Sequence, residues 1–111
     1  MNKPTWLKGI IADVHPSVKI GNNSFVWSFA VICEDVEIGD NCVIGANVHI
    51  GRNVKIGNGV RIQTGAYIVD HMTIEDNVFI GPCAVTMNDR YPVANNPDYK
   101  REPPYLEEGC S

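Results

Sequence analysis

Two stretches of the sequence carry side chains that could move a proton. Asn88 and Asp89 begin the stretch NDRY, where a carboxylate could accept a proton and a carboxamide could orient a bound group. His49 lies in the stretch NVHIG, and a neutral imidazole can act as a base at pH 7. Asp is also an ordinary turn residue, and a histidine at this position could simply pack in an interface. The sequence therefore predicts Asp89, Asn88 and His49 as candidate catalytic residues.

Four further side chains are candidates for binding a small molecule. Arg90 and Tyr91 follow Asp89 directly, and a guanidinium group can pair with a phosphate. Tyr67 and Gln63 complete the set. All of these residues need a scaffold that brings them together.

That scaffold is indicated by a six-residue repeat. Steps of six from Val14 to Ile80 meet twelve valines or isoleucines in succession, a period that suits neither an α-helix nor a lone amphipathic strand. Four places after each of them, eleven of the twelve residues are apolar, Ser24 being the exception. Most other positions hold Gly, Asn, Asp, Ser, Pro or a charged residue, as is typical of turns.

The repeat predicts an all-β solenoid. A strand of about four residues and a two-residue turn fill six positions, so three faces make a coil of 18 residues and twelve hexads make four coils. We expect the twelve residues from Val14 to Ile80 to point inward and to be buried.

Steps of eighteen predict which outward residues share a column. One column alternates in charge, as on a solvated face: Lys19, Glu37, Lys55 and Thr73. The corresponding column on another face is mostly apolar: Val31, His49, Tyr67 and Val85. Trp27 and Phe29 project near the lower end of this second column, which from here on is called the His49 column. An exposed apolar stripe of this kind favours self-association.

The regular pattern ends near Thr86 and gives the expected division of the chain. Residues 1–13 form an N-terminal lead-in, 14–86 the solenoid, 87–105 a protruding loop with four prolines, and 106–111 the start of a resumed coil. Loops of such length are usually functional. The resumed coil leaves two interpretations open: a complete domain with an open top, or a protein whose further coils follow Ser111.

Composition excludes several partners. Nine Lys and Arg against thirteen Asp and Glu give a net charge of −4, and the lack of a basic cluster argues against nucleic acid. No apolar run is long enough to cross a membrane, and the N-terminus does not resemble a signal peptide, so the sequence predicts a cytoplasmic protein with no membrane partner. Its four cysteines form no C-x-x-C pair, so we expect free thiols and no metal site.

The chain resembles the hexapeptide-repeat acyltransferases over residues 14–85, which implies a left-handed parallel β-helix. Within that superfamily, HPSVKIGNNSFVWSF near the start and FIGPCAVTMNDRYP near the end are most similar to nucleotide-sugar N-acetyltransferases. Members often have W-H-F where this chain has Trp27-Ser28-Phe29, and T-N-D where it has Met87-Asn88-Asp89. The second difference leaves Asn88 and Asp89 in place.

The resemblance implies a function and an assembly. Relatives transfer an acetyl group from acetyl-CoA, used as a co-substrate without a metal, to an amino group on a nucleotide-linked sugar. They are homotrimers with the active site between neighbouring prisms, closed by a protruding loop, and acetyl-CoA lies along the later coils. By this resemblance Asp89, Asn88 and His49 are the catalytic candidates, and Arg90, Tyr91, Tyr67 and Gln63 the substrate-binding ones.

Two other functions remain as alternatives. A non-catalytic or truncated trimeric scaffold would keep the prism but lack cofactor binding. The same type of solenoid also occurs in γ-class carbonic anhydrases, which hold zinc with three histidines at a subunit boundary. Here the three histidines are separated by 34 and 22 residues, and His49 is expected on a different face from His15 and His71, which argues against one zinc site within a chain.

Overall fold

The computed structural model describes residues 7–8, 11–86 and 105–109. Within these ranges the chain forms strands of two residues, separated by tight turns, and no helix. The sequence predicted strands of about four residues; the turns take up more of each hexad than expected. The strands are β1 Leu7–Lys8, β2 Asp13–Val14, β3 Lys19–Ile20, β4 Phe25–Val26, β5 Val31–Ile32, β6 Glu37–Ile38, β7 Val43–Ile44, β8 His49–Ile50, β9 Lys55–Ile56, β10 Arg61–Ile62, β11 Tyr67–Ile68, β12 Thr73–Ile74, β13 Phe79–Ile80 and β14 Tyr105–Leu106.

Every third strand belongs to the same sheet, as the 18-residue coil requires. The first sheet has the order β1-β4-β7-β10-β13, the second β11-β8-β5-β2 and the third β14-β12-β9-β6-β3. All pairs are parallel and register residue i with residue i+18, as for Val31 with His49 and His49 with Tyr67; only β14 enters by a longer connection. The three sheets are the faces of a parallel β-helix of about four turns, which confirms the predicted architecture.

The core is a stack of β-branched side chains. Ten of the twelve predicted inward residues, from Val26 to Ile80, are buried, with Ile44, Ile50 and Ile62 fully so. The prediction is wrong for Val14 and Ile20, which are only partly buried. Their strands β2 and β3 are the last of their sheets in the described part of the chain, so no further strand covers them.

The residues four places further along each hexad also point inward, and ten of these twelve, from Ser24 to Val78, are buried. Ser24 is buried, and its hydroxyl donates to the carbonyl of Gly39 at 2.8 Å and accepts from the backbone N–H of Cys42 at 3.0 Å. A buried hydroxyl that makes both bonds is not left unsatisfied. The solenoid therefore tolerates a serine among its apolar side chains.

Strand pairing reaches beyond the predicted solenoid at both ends. Leu7–Lys8, in the predicted lead-in, pairs with Phe25–Val26. Tyr105–Leu106 pairs with Thr73–Ile74, and the Tyr105 hydroxyl donates to the carboxylate of Glu75. The predicted loop 87–105 lies outside the described residues except for Tyr105, and the division into segments stays a prediction.

Gly45 is a position where the stacking of coils leaves no room for a side chain. A Cβ there would lie 2.7 Å from the backbone nitrogen of Thr64 and 2.9 Å from the carbonyl carbon of Gln63. At Gly81 a Cβ would meet nothing within 4 Å. We therefore expect Gly45→Ala to lower the free energy of unfolding by about 1–3 kcal/mol, and Gly81→Ala to change it far less. Urea unfolding followed by circular dichroism measures both; equal midpoints for the two variants would contradict this packing.

Candidate functional site

His49 and Tyr67 form the centre of the candidate site on the second sheet. They are register partners on β8 and β11, and their rings are stacked, with centroids 4.9 Å apart and an angle of 5° between the planes. Val31 pairs below His49, and Val85 bridges to Tyr67 above. The predicted His49 column is thus confirmed as a continuous stripe across the second sheet.

Cys33 lies beside the imidazole of His49. Its Sγ is 3.9 Å from His49 Nε2, within the range of a weak sulfur hydrogen bond. Burial raises the pKa of the Cys33 thiol, and the negative charges of Glu34 and Asp70 raise it further. At neutral pH this side chain is therefore a thiol, and it is a poor nucleophile because the thiolate is the reactive form.

Arg52 organises the charged groups on the same side of the prism. Its backbone N–H donates to Asp70 Oδ1 at 2.9 Å, its side chain reaches Asp70 Oδ2 at 3.3 Å, and Glu34 Oε1 lies 3.6 Å from Nε. Burial alone would raise the pKa of Asp70, but the hydrogen bonds and the charge of Arg52 outweigh it and lower that pKa. Because these side chains are exposed or partly exposed, the network contributes little to stability, but it places two carboxylates and one guanidinium group near Cys33.

The structure does not bring Gln63 together with His49 and Tyr67. Gln63 follows β10 at the corner between the first and second sheets and lines a separate open groove of about 310 Å³. The groove is also lined by Trp27, Val43, Gly45, Ile62 and Thr64. Of the predicted residues that the structure describes, two therefore share one face and the third lies across the corner.

The groove exists because glycine interrupts a column of larger residues. Trp27, Gly45 and Gln63 are spaced by eighteen, so Gly45 leaves a gap between the indole and the carboxamide. Phe25 packs edge-on against Trp27, with ring centroids 4.8 Å apart at 61°. We call this feature the Trp27 groove. The sequence reasoning missed it, although steps of eighteen from Trp27 would have revealed the column.

Phe29 stands at the same corner in an unusual backbone conformation. Its φ is 64°, and the residues one, two and three coils above it at this corner are Asn47, Gly65 and Cys83, all with positive φ. Asn and Gly adopt this conformation readily, whereas for a bulky side chain it is strained. The Phe29 side chain is nevertheless 54% exposed, next to Trp27 at 51%. The turn therefore presents two exposed aromatic residues side by side at this corner.

The remaining predicted site residues, Asn88, Asp89, Arg90 and Tyr91, lie outside the described residues. Among residues 7–8, 11–86 and 105–109, no three His, Cys, Asp or Glu side chains are grouped so that they could hold a metal ion. The same part of the chain contains no helix that could cross a membrane.

Two solved structures show what the chain is similar to. The serine acetyltransferase isoform 3 of Entamoeba histolytica, in complex with cysteine, matches with a TM-score of 0.62 and 28% identity over 78% of this chain and 38% of that protein. The H141N mutant of perosamine N-acetyltransferase from Caulobacter crescentus, in complex with CoA and GDP-perosamine, matches with a TM-score of 0.60 and 18% identity over 92% of this chain and 51% of that one. At 18% identity the second match shows the fold alone. The chain spans about two fifths of the length of the first protein and about half of the length of the second.

No curated protein matches the chain, but a family model does. The bacterial transferase hexapeptide model, which describes six repeats, matches residues 17–52 and again 53–88. These matches cover the strands that carry His49 and Tyr67 and the turn that holds Gln63, and they confirm the predicted left-handed parallel β-helix. Together with the three parallel sheets, they show that the chain belongs to the bacterial transferase hexapeptide family of acyltransferases.

Proposed function

We propose that the chain is an acetyl-CoA-dependent N-acetyltransferase that acts on an amino group of a nucleotide-linked sugar. The observation that carries this proposal is the His49 column: an imidazole held between a thiol and a stacked tyrosine ring on the exposed face of a hexapeptide prism. The similarity to a serine acetyltransferase supports acetyl transfer. The choice of a nucleotide sugar rests on the resemblance of HPSVKIGNNSFVWSF and of FIGPCAVTMNDRYP, which contains Asn88 and Asp89, to that group of enzymes.

The reaction needs few groups from the protein. The substrate amine attacks the thioester carbonyl carbon of acetyl-CoA, the C–S bond breaks, and CoA leaves as the thiolate. His49 accepts the proton that the amine loses and returns a proton to the departing CoA sulfur, which gives an amide and free CoA. Cys33 remains a thiol that lines the site. Asn88 and Asp89 are further candidates to orient the amine, and Arg90 and Tyr91 to bind the substrate.

The placement of the candidate residues favours a site shared between chains. His49 and Tyr67 lie on the second sheet, and Gln63 lies in the Trp27 groove across the corner. If this corner, with Phe29, faces a threefold axis, the first sheet of each prism meets the second sheet of its neighbour. Such a head-to-tail arrangement closes a ring. We therefore propose a homotrimer with three equivalent clefts, in the cytoplasm, without nucleic acid, membrane or metal as a partner.

Tyr67→Glu is expected to dissociate this trimer. Tyr67 is 43% exposed in a single chain and lies in the middle of the apolar His49 column. The proposed interface would cover this column, and burying an unpaired carboxylate there is costly. Light scattering should change from about three times 12.2 kDa to one chain. Lys55→Glu on the third sheet, which lies in the charged column, should leave the mass unchanged. A wild-type monomer at micromolar concentration would contradict the proposed assembly.

Release of free thiol tests the proposed reaction. The chain is incubated with acetyl-CoA and a panel of UDP-, GDP- and dTDP-linked amino sugars, and a thiol reagent follows CoA. We expect release with at least one amino sugar and none with the corresponding sugar that has a hydroxyl in place of the amine. No release with any member of the panel, either from this chain or from a fusion that adds a relative's coils after Ser111, would contradict the N-acetyltransferase proposal and favour a scaffold.

A further inference from the structure

We infer that the Trp27 groove binds the nucleotide part of the substrate, with the base stacked on the indole of Trp27. This inference rests on the proposed function and goes beyond it, because it assigns one face of the prism to the base and the phosphate. The first argument is shape. The groove, at about 310 Å³, has the size of a small ligand site, and a base is a flat ring that fits the gap left by Gly45.

The indole is prepared for stacking. Trp27 is half-exposed, and the edge-on contact with Phe25 holds its plane. Stacking of a base on an aromatic side chain depends little on which base is present. The indole therefore supplies affinity for a base in general.

The polar groups around the groove supply the remaining contacts. Gln63 and Thr64 are among the residues that line it, and a carboxamide and a hydroxyl can donate to and accept from the edge of a base. Arg61, two residues before Gln63, is exposed on the first sheet between Val43 and Phe79. It forms no ion pair with any described residue, so its guanidinium group is available to a phosphate.

The inference also explains why the groove lies apart from His49. A sugar linked through two phosphates is long, so its base and its amino group need subsites that are well separated. In the trimer proposed above, the Trp27 groove of one chain and His49 of its neighbour line the same cleft. The base would then be held by one chain while the amine is acetylated beside the other.

Calorimetric titration with UDP, in the absence of acetyl-CoA, tests this inference on the wild-type chain and on variants. We expect Trp27→Ala to weaken UDP binding about 10-fold or more and Trp27→Phe to restore most of it. Arg61→Ala should weaken UDP about 10-fold and uridine hardly at all, because only UDP carries phosphate. The matched control is Tyr105→Ala, which removes another exposed ring, on the third sheet, and should leave binding unchanged.

The outcomes separate this inference from the proposed function. UDP affinity that is equal in wild type, Trp27→Ala and Tyr105→Ala would overturn the inference, as would no detectable UDP binding, even if thiol release shows acetyl transfer. UDP binding that depends on Trp27 would support it even if no amino sugar is acetylated, in which case the proposed reaction is wrong but the site stands.

Discussion

Ile50→Asp should leave no folded protein at 25 °C. Ile50 is fully buried at the middle of the second sheet, with Ile32 as its register partner below and Ile68 as its register partner above. A carboxylate there would have no partner, and burying it costs several kcal/mol in addition to the lost packing. Domains of this size are stable by only about 5–15 kcal/mol. Far-UV circular dichroism should show the loss of the β signal.

The control for this prediction places the same residue in an exposed turn. Asn53→Asp introduces an aspartate at a position with φ of 56°, which Asp tolerates. Its free energy of unfolding should stay within about 0.5 kcal/mol of wild type. An Ile50→Asp variant that keeps its circular dichroism spectrum and thermal transition would contradict the packing of the core.

His49→Phe should lower the rate of acetyl transfer by about 10² to 10⁴, the range for removal of a general base. Phenylalanine keeps an aromatic ring that can stack on Tyr67, so the substitution removes the proton acceptor and preserves the packing. The measurement is kcat for the best amino sugar of the panel, with light scattering to confirm the same assembly. We expect KM to change little.

His15→Ala is the matched control for His49→Phe. His15 is exposed, and its contact is with Ser17, away from Tyr67, so kcat should stay within about 2-fold of wild type. If His49→Phe retains full activity, then His49 only packs in the interface, and the proton acceptor must be sought elsewhere, with Asp89 as the next candidate.

Most of the fold could be predicted because each hexad repeats one physical constraint. Every sixth residue is β-branched because such side chains pack well in the stacked layers of the interior, and the 18-residue step then fixes which residues are neighbours. This is how Val31, His49 and Tyr67 could be aligned from sequence alone. The 18-residue step could not predict that Val14 and Ile20 are only partly buried. They lie on the last strands of their sheets, and the burial of a terminal strand depends on what packs beyond it, which the repeat does not specify.

The site could be predicted only in part. The stacking of His49 on Tyr67 follows from the column, but the contact with Cys33 depends on how the imidazole is rotated, which the repeat does not specify. The Trp27 groove arises because Gly45 has no side chain. Glycine carries no reactive group, so residue types that indicate chemistry do not point to this position. Asn88 and Asp89 lie beyond the regular repeat, where its geometric rule does not apply, so their roles stay predictions.

The central claim is that each active site is shared by two chains, and mixing two inactive variants tests it most directly. One variant carries His49→Phe, and the other carries Trp27→Ala together with Gln63→Ala. The two are unfolded together and refolded as mixed trimers. Because one cleft in four then combines an intact second sheet with an intact Trp27 groove, acetyl transfer should recover to about a quarter of the wild-type rate. Mixed trimers that stay as inactive as the separate variants would contradict a shared site.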